Sequence, residues 1–418
     1  MNNSILDIVN KTEKLLNSNE ICKGEVQRVK TLRNKLEENK ITVSVIGQFK
    51  RGKSTLVNGI LGEKVLPVGI VPVTSVVTRV EYGEHEATVH YNNGSVDLVD
   101  FDSLSEYISE QKNSNNVLGV NSVVLKTPSD FLKNGVTFVD TPGVGSYHKH
   151  NSDVAYAFMK ESDAVIFMLS VDSPINQIEI DFLENAKEYA AKFYFAVNKV
   201  DTVEEEELSA YLFYCRDLLC QLMGVDDVTM FPVSAKKGTG IEELKTAIHK
   251  DCQTEIREIL EESSRMKLID VINDTIVHLD LYWKALNMPM KDLTERFDKL
   301  NSYLKDLKSS ARELVADKHE DINLQVKLNE MKLGISDLVL ELFGMEYKYE
   351  IKKLESILED KTEEKQFLDD VENLCMDLEK TLNTVLMFRE ENAYTVCRRI
   401  NNLNKLTRDL RRILAEIK

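Results

Sequence analysis

Apolar residues change rhythm twice along the 418-residue chain. In residues 1–39, Ile5, Ile8, Thr12 and Leu15 recur at helical spacing. Val26, Val29, Leu32 and Leu36 do so again after a break at Lys23-Gly24, which predicts one or two helices with a single apolar stripe each. From Ile41 to about Lys250, short apolar runs alternate with helical ones, the grammar of an α/β fold. The predicted strands are Ile41 to Ile46, Val76 to Tyr82, Ala87 to Tyr91, Val96 to Val99, Val123 to Lys126, Val136 to Asp140, Ala164 to Leu169, Phe193 to Val197 and Met230 to Val233. Asn92-Asn93-Gly94 reads as a hairpin turn between two of them.

Beyond about residue 250 Gly and Pro nearly vanish and the period becomes wholly helical. Leu293, Phe297, Leu300, Leu304, Leu307, Ala311 and Leu314 keep a four-three alternation, repeated by Leu324, Leu328, Met331, Ile335, Leu338, Leu342 and Met345. This predicts long antiparallel helices, each of 35 residues reaching about 50 Å. Turns are expected at Asn287-Met288-Pro289-Met290, at Ala316 to Asp321 and at Glu359 to Lys365. The last helix, with Val396, Leu403, Leu406, Leu410, Ile413 and Ile417 on one face, is a natural partner for the N-terminal pair. Four segments follow: N-terminal helices 1–39, an α/β domain 40–250, a helical region 251–395 and a C-terminal helix 396–418. The expected fold class is thus a mixed, mostly parallel sheet with helices on both faces, joined to an all-α bundle.

The net charge of −17 argues against a chain built to wrap nucleic acid. Charge is uneven, however. Arg398 to Lys418 carries seven basic residues against Asp409 and Glu416, a helix able to face anionic lipid or acidic helices. Six cysteines without C-x-x-C spacing fit buried free thiols in a reducing cytosol. No apolar run approaches a membrane span and no signal-peptide layout opens the chain, so a cytoplasmic location is expected, peripheral at most to the inner face of the cell membrane. His148 and His150 lack metal-site companions and read as loop residues.

Chemistry enters at Gly47-Gln48-Phe49-Lys50-Arg51-Gly52-Lys53-Ser54, directly after the first predicted strand and before a helix. This G-x-x-x-x-G-K-S loop cradles phosphates: the glycines let backbone N–H groups turn inward, Lys53 reaches the β and γ phosphates, and Ser54 ligates Mg²⁺. The helix beginning at Ser54 and Thr55 adds its positive end. Asp140-Thr141-Pro142-Gly143 closes a later strand, where Asp140 holds the magnesium through water and the Gly143 N–H senses the γ-phosphate. Asn198-Lys199-Val200-Asp201 chooses the base. Asp201 accepts from guanine N1–H and the exocyclic amine, which adenine does not offer, while Lys199 lies over the base and Asn198 ties this loop to the phosphate loop. Ser234-Ala235-Lys236 should present the Ala235 N–H to guanine O6. GTP and GDP are therefore the expected ligands.

A threonine must close on Mg²⁺ and the γ-phosphate from the segment between these loops. Thr74, ending Leu66-Pro67-Val68-Gly69-Ile70-Val71-Pro72-Val73-Thr74, is the first choice, with Thr78 as alternative. After Gly143 stands Val144, which cannot orient water, so basal hydrolysis should be slow. Lys50 and Arg51 add two cations beside Lys53. Either both face solvent, or Lys50, with Arg51 as second choice, folds over the phosphates as an internal finger when two such domains meet.

The strings GQFKRGKST, Leu-Pro…Pro-x-Thr, DTPGVGS and NKVD, flanked on both sides by helices, resemble the bacterial dynamin-like proteins over residues 40 to 240. The resemblance implies a large self-associating GTPase whose flanking helices form a neck, whose residues 251–395 form a stalk, and whose nucleotide-binding faces dimerise. Its partner would be a second copy or a related chain, with peripheral contact to anionic lipid and no nucleic acid. Phe49 and Lys50 stand where eukaryotic dynamins carry Gln and Ser, so their monovalent-cation arrangement is not carried over; guanylate-binding proteins are similar in placing a cationic finger at the position of Lys50. Two other readings use the same motifs: a regulatory GTPase acting on ribosomes or RNA, and a nearly inactive nucleotide-gated scaffold marked by Val144. Leu281 to Met290, holding the lone Trp283, is the candidate membrane tip, with packing inside the bundle as its competing explanation.

Overall fold

The computed structural model describes residues 4–68, 76–109, 111–113, 116–133, 135–141, 159–316 and 364–417. They gather into two compact units, one formed by Met1–Asn10 with Val29–Leu268, the other by Lys11–Arg28 with Ile269–Lys418.

In the first unit a nine-stranded sheet has the order β4-β3-β5-β2-β6-β1-β7-β8-β9. The strands are β1 (Ile41–Ile46), β2 (Val77–Tyr82), β3 (Glu86–Tyr91), β4 (Val96–Val99), β5 (Val120–Thr127), β6 (Val136–Asp140), β7 (Ala164–Ser170), β8 (Lys192–Asn198) and β9 (Met230–Pro232). Strands β6, β1, β7, β8 and β9 run parallel to one another, and β2 runs parallel to β5. β2 joins β6 antiparallel, and β3 pairs antiparallel with both β4 and β5, giving a mixed, mostly parallel sheet. Gly94, at φ 84°, lets the predicted hairpin close.

Central strands are apolar on both faces because helices cover both. All six residues of β1 are buried. In β7, Ala164, Ile166 and Met168 point into one layer, with Leu56, Val57 and Ile60 of α3 (Lys53–Leu61), Leu104 and Ile108 of α4 (Leu104–Ile108) and Leu244 and Ile248 of α7 (Ile241–Thr254). Val165, Phe167 and Leu169 point into the other, against Phe182 and Leu183 of α5 (Gln177–Ala186) and Cys215 and Leu219 of α6 (Glu205–Met223). Each such side chain contributes about 1.5–3 kcal/mol relative to exposure. The parallel strands therefore end together, and the loops after β1, β6, β7, β8 and β9 share one edge.

The N-terminal helices are α1 (Ile5–Leu16) and α2 (Lys23–Glu38). The break lies ahead of Lys23, where Asn19 caps a short 3-10 turn, Glu20–Cys22, by accepting from the Ile21 N–H; Gly24 sits inside α2, not at the break predicted for it.

The second unit is helical. In α9 (Met290–Ala316), Leu293, Phe297, Leu300, Leu304, Leu307 and Ala311 are all at most 1% exposed, the four-three stripe of the sequence. They pack with Val371, Leu374, Cys375 and Leu382 of α10 (Glu364–Arg389). Lys308 bonds Glu379 and Arg312 bonds Glu372, so residue numbers rise on one helix as they fall on the other and the pair is antiparallel. α8 (Ile256–Asn287) stops just before Pro289, as predicted. Leu281, Tyr282, Ala285 and Leu286 are buried while Met290 is 40% exposed, so the candidate tip commits most of its apolar side chains to packing. α11 (Ala393–Ile417) joins residues 11–28 through Lys11–Glu416 and Arg399–Glu20, at 2.9 and 2.8 Å. The predicted turns at 316–321 and 359–365 and the second heptad stripe, Leu324 to Met345, lie mostly or wholly outside the described residues, as do His148 and His150.

Candidate functional site

Gly47 follows β1 at φ 155°, and a Cβ there would meet the Met168 carbonyl oxygen of β7 at 2.7 Å. Gly52, at φ 93°, has Asn198 Nδ2 2.4 Å from its would-be Cβ. Only glycine fits either place, so the loop between them is pressed onto β7 and β8. Lys50 lies between them at φ 68°, a left-handed conformation that costs a side-chain-bearing residue about 1–2 kcal/mol. Its side chain is exposed, with Nζ 5.2 Å from the Phe49 ring centroid.

Lys53 opens α3. Its ammonium donates to the carbonyls of Gly47 (2.9 Å) and Gln48 (3.2 Å) across the loop mouth. Burial pushes its pKa down to about 8 against the opposing pull of Asp140. Gly52 provides no side-chain cap, leaving the first α3 amides aimed into the loop. Ser54 and Thr55 are half-buried in the same turn.

Ser54 Oγ donates to Asp140 Oδ2 at 2.7 Å, which brings together the residues expected to hold Mg²⁺. Two hard oxygens side by side, next to a phosphate cradle, suit a small divalent cation that keeps waters and phosphate oxygens as its other ligands. Thr74 and Gly143 lie outside the described residues, as does Val144. Thr78, the alternative switch threonine, is a fully buried strand residue opposite Asp140, and β2 holds it in the sheet rather than in a closing loop.

Asn198 ends β8 and ties three segments together. Its Nδ2 donates to the Arg51 carbonyl at 2.7 Å, while its Oδ1 accepts from the amides of Lys199 (2.8 Å) and Ala235 (2.9 Å). The link between base loop and phosphate loop is the one expected. The Ala235 N–H, the group expected to meet guanine O6, donates to Asn198 Oδ1. Lys199 is left-handed at φ 65°, and its ammonium bonds Asp172. Asp201 accepts from Ser234 Oγ at 2.7 Å and pairs with Lys237 at 3.5 Å. The Ser234 hydroxyl is the chief cause holding its carboxyl below the usual range. Ser234 bridges to Thr239 across a tight loop, and Lys236 is exposed.

Arg51 follows neither of its sequence readings. It is 2% exposed and faces neither solvent nor the loop mouth. Its guanidinium grips Glu179 of α5 through two bonds of 3.0 and 2.9 Å, and a guanidinium taken out of water is costly unless a carboxylate pairs with it. The sequence reading missed Glu179, Asp172 and Ser173. Only Glu179 leaves a local trace: Asn176-Gln177-Ile178-Glu179 is a capping box, realised at 3.2 and 3.3 Å.

The sequence profile of the dynamin family matches residues 43–201, the stretch from β1 to Asp201. An uncharacterised protein in the xynA 3′ region of Caldicellulosiruptor sp. is 34% identical over 324 residues, covering 73% of this chain and 81% of that one. Dynamin-like protein 1 of Campylobacter jejuni is 23% identical over 356 residues, 74% of this chain and 48% of that one. The bacterial dynamin-like protein of Nostoc punctiforme is 27% identical over 218 residues, 49% of this chain and 31% of that one. The chain thus spans under half the length of both named relatives. One member of a solved bacterial dynamin pair superposes with a TM-score of 0.50 at 15% identity, covering 99% of this chain and 93% of that one, which is a likeness of fold. Profile, relatives and fold agree with the loops at the sheet edge, and the chain belongs to the dynamin family as a bacterial dynamin-like protein.

Proposed function

We propose that this chain binds GTP with Mg²⁺ at the edge of the sheet and hydrolyses it to GDP and phosphate. The carrying observation is Asn198, which bonds Arg51 of the phosphate loop and Ala235 of the last loop at once. That arrangement supports a single nucleotide spanning both. In this reading Gly47 to Thr55 enclose the phosphates, Lys53 exchanges its loop carbonyls for phosphate oxygens, and Asp201 takes the guanine N1–H and amine, with Ser234 to Lys236 lining the base. Ser54, Thr74 and Asp140 would hold the Mg²⁺, which would supply charge neutralisation to the phosphates. Gly143 senses the γ-phosphate.

Because Val144 cannot orient water, turnover depends on pairing of two GTPase domains, which aims Lys50 at the developing charge. Lys50 is exposed, and its ammonium stands 5.2 Å from the Phe49 ring centroid, a position that supports this role. Residues 1–39 and 396–418 serve as the neck and 251–395 as the stalk that hydrolysis moves. The solved bacterial dynamin pair is described as an oligomer that provides a mechanism for long-range sensing and tethering of membranes, and we extend membrane tethering by oligomers to this chain. The contact proposed is peripheral; no helix among the described residues is long and apolar enough to cross a membrane. GTP turnover measured against protein concentration tests the reading. A steep rise per molecule is expected, and flat negligible activity would overturn it. Liposome co-sedimentation with a non-hydrolysable GTP analogue tests the membrane arm.

A further inference from the structure

Strand β7 ends at Ser170 and the chain reaches α5 through residues 171–176. Into this short loop Arg51 sends its whole side chain from the phosphate loop. Beyond the two bonds to Glu179, Nη1 donates to the Ser170 carbonyl (3.2 Å), the Ser173 carbonyl (3.2 Å) and Ser173 Oγ (2.7 Å), and Nη2 reaches the Pro174 carbonyl at 3.5 Å. Nη1 also stands 3.7 Å from Asp172 Oδ1, and the other oxygen of that carboxylate bonds the Lys199 ammonium. A chain of charges therefore runs from the phosphate loop, through the loop after β7, to the base-recognition loop.

We propose that Arg51 is a positioning residue of the nucleotide site: fixed on Glu179, it sets the shape of the phosphate loop and, through Asp172, the position of Lys199. This rests on the nucleotide-binding reading above and assigns a role within that site.

The Arg51–Glu179 pair has side chains only 3% and 0% exposed, and a buried ion pair seldom stabilises more than a well-packed apolar pair of the same size. What it adds is geometry: a planar fork on a carboxylate fixes orientation as well as distance. The phosphate loop needs such a constraint, since it carries two glycines and a left-handed Lys50, and strained backbone persists only where its surroundings over-determine it. Arg51 is held from both ends, its carbonyl by Asn198 and its guanidinium by the loop after β7. At Asp172, burial raises the carboxyl pKa, but the hydrogen bond from Lys199 leads the opposing causes and keeps it below the ordinary range, so the link is charged at neutral pH.

The test uses the full chain, with GDP affinity by titration calorimetry and melting temperature without nucleotide. Arg51→Met and Glu179→Met each leave a buried charge alone and should melt well below the wild type. The double variant Arg51→Met/Glu179→Met should regain most of the lost melting temperature yet bind GDP about tenfold more weakly. A double variant with wild-type affinity overturns the proposal. Asp172 is half-exposed, so Asp172→Asn folds whatever the fate of the buried pair. Combined with Lys199→Met, it should weaken GDP binding less than the product of the single effects, because both cut one link; independent effects overturn the proposal. A wild type that binds no GDP removes the nucleotide reading itself, whereas a wild type that binds beside an equally tight Met/Met variant removes only the role given to Arg51.

Discussion

Asn198 Oδ1 accepts the Ala235 amide at 2.9 Å while the same side chain donates from Nδ2 to the Arg51 carbonyl at 2.7 Å. Removing it orphans two buried backbone groups, each at a cost of about 1–3 kcal/mol. Asn198→Ala should therefore lower the melting temperature and weaken GDP by about 100-fold or more, since both loops lose their tie. Calorimetry and thermal melts read the two effects separately, and unchanged GDP affinity would contradict the role of this link.

Asp201→Asn should move preference from guanosine toward xanthosine triphosphate. The carboxylate meets the guanine amine, whereas an amide can meet the carbonyl that xanthine places there. The Ser234 hydroxyl that now donates to Asp201 keeps an acceptor in the variant, so the loop survives. Competition between the two nucleotides measures the shift, and retained guanine selectivity would remove Asp201 as the selector.

Lys50→Ala separates resting from paired domains. Among the described residues the Lys50 ammonium approaches the Phe49 ring and its side chain is exposed, so its loss should change the dissociation constant little. At high protein concentration, kcat should fall about 100-fold, the scale expected for a lost transition-state cation. Equal kcat in both proteins would return Lys50 to the solvent.

Acid should loosen the first unit through Asp163, one residue before β7. Its Oδ1 accepts from Ser263 at 2.8 Å and from Lys267, and its Oδ2 from the Thr42 amide at 2.8 Å and Lys35 at 3.0 Å. Burial raises its carboxyl pKa, but Lys267 and then Lys35 outweigh it and hold the group far below the usual carboxylate range. A depressed folded pKa gives stability that is complete above about pH 4 and lost as pH falls below that. Asp163→Asn should cost about 3–5 kcal/mol at pH 7, because two lysines lose a buried partner. It should also flatten the fall of melting temperature between pH 4 and 2; an equally steep fall would place the acid sensitivity elsewhere.

Strands were legible wherever both faces are buried. Ile41 to Ile46 and Val136 to Asp140 match residue for residue, because each is a short, mostly β-branched and apolar run with polar residues or glycine just outside it. β5 runs three residues further back than the predicted Val123, since Asn121 and Ser122 fall at exposed or half-exposed places and mask its start. The α9 stripe was readable because every fourth and third residue is buried without interruption. The site was legible in its motifs and not in its ties. Arg51 and Glu179 stand 128 positions apart and Lys199 and Asp172 stand 27 apart, so only the register of β1, β7 and β8 brings them together. The partner of the Ala235 amide was hidden for the same reason: Asn198 reaches it across the sheet edge, not along the chain.

Calorimetric titration of the wild type and Lys53→Ala with GDP and with ADP, both with Mg²⁺, tests the central claim most directly. The account predicts that the wild type binds GDP at least 100-fold more tightly than ADP and that Lys53→Ala binds neither. Equal affinity for the two nucleotides, or undiminished GDP binding without Lys53, would contradict it.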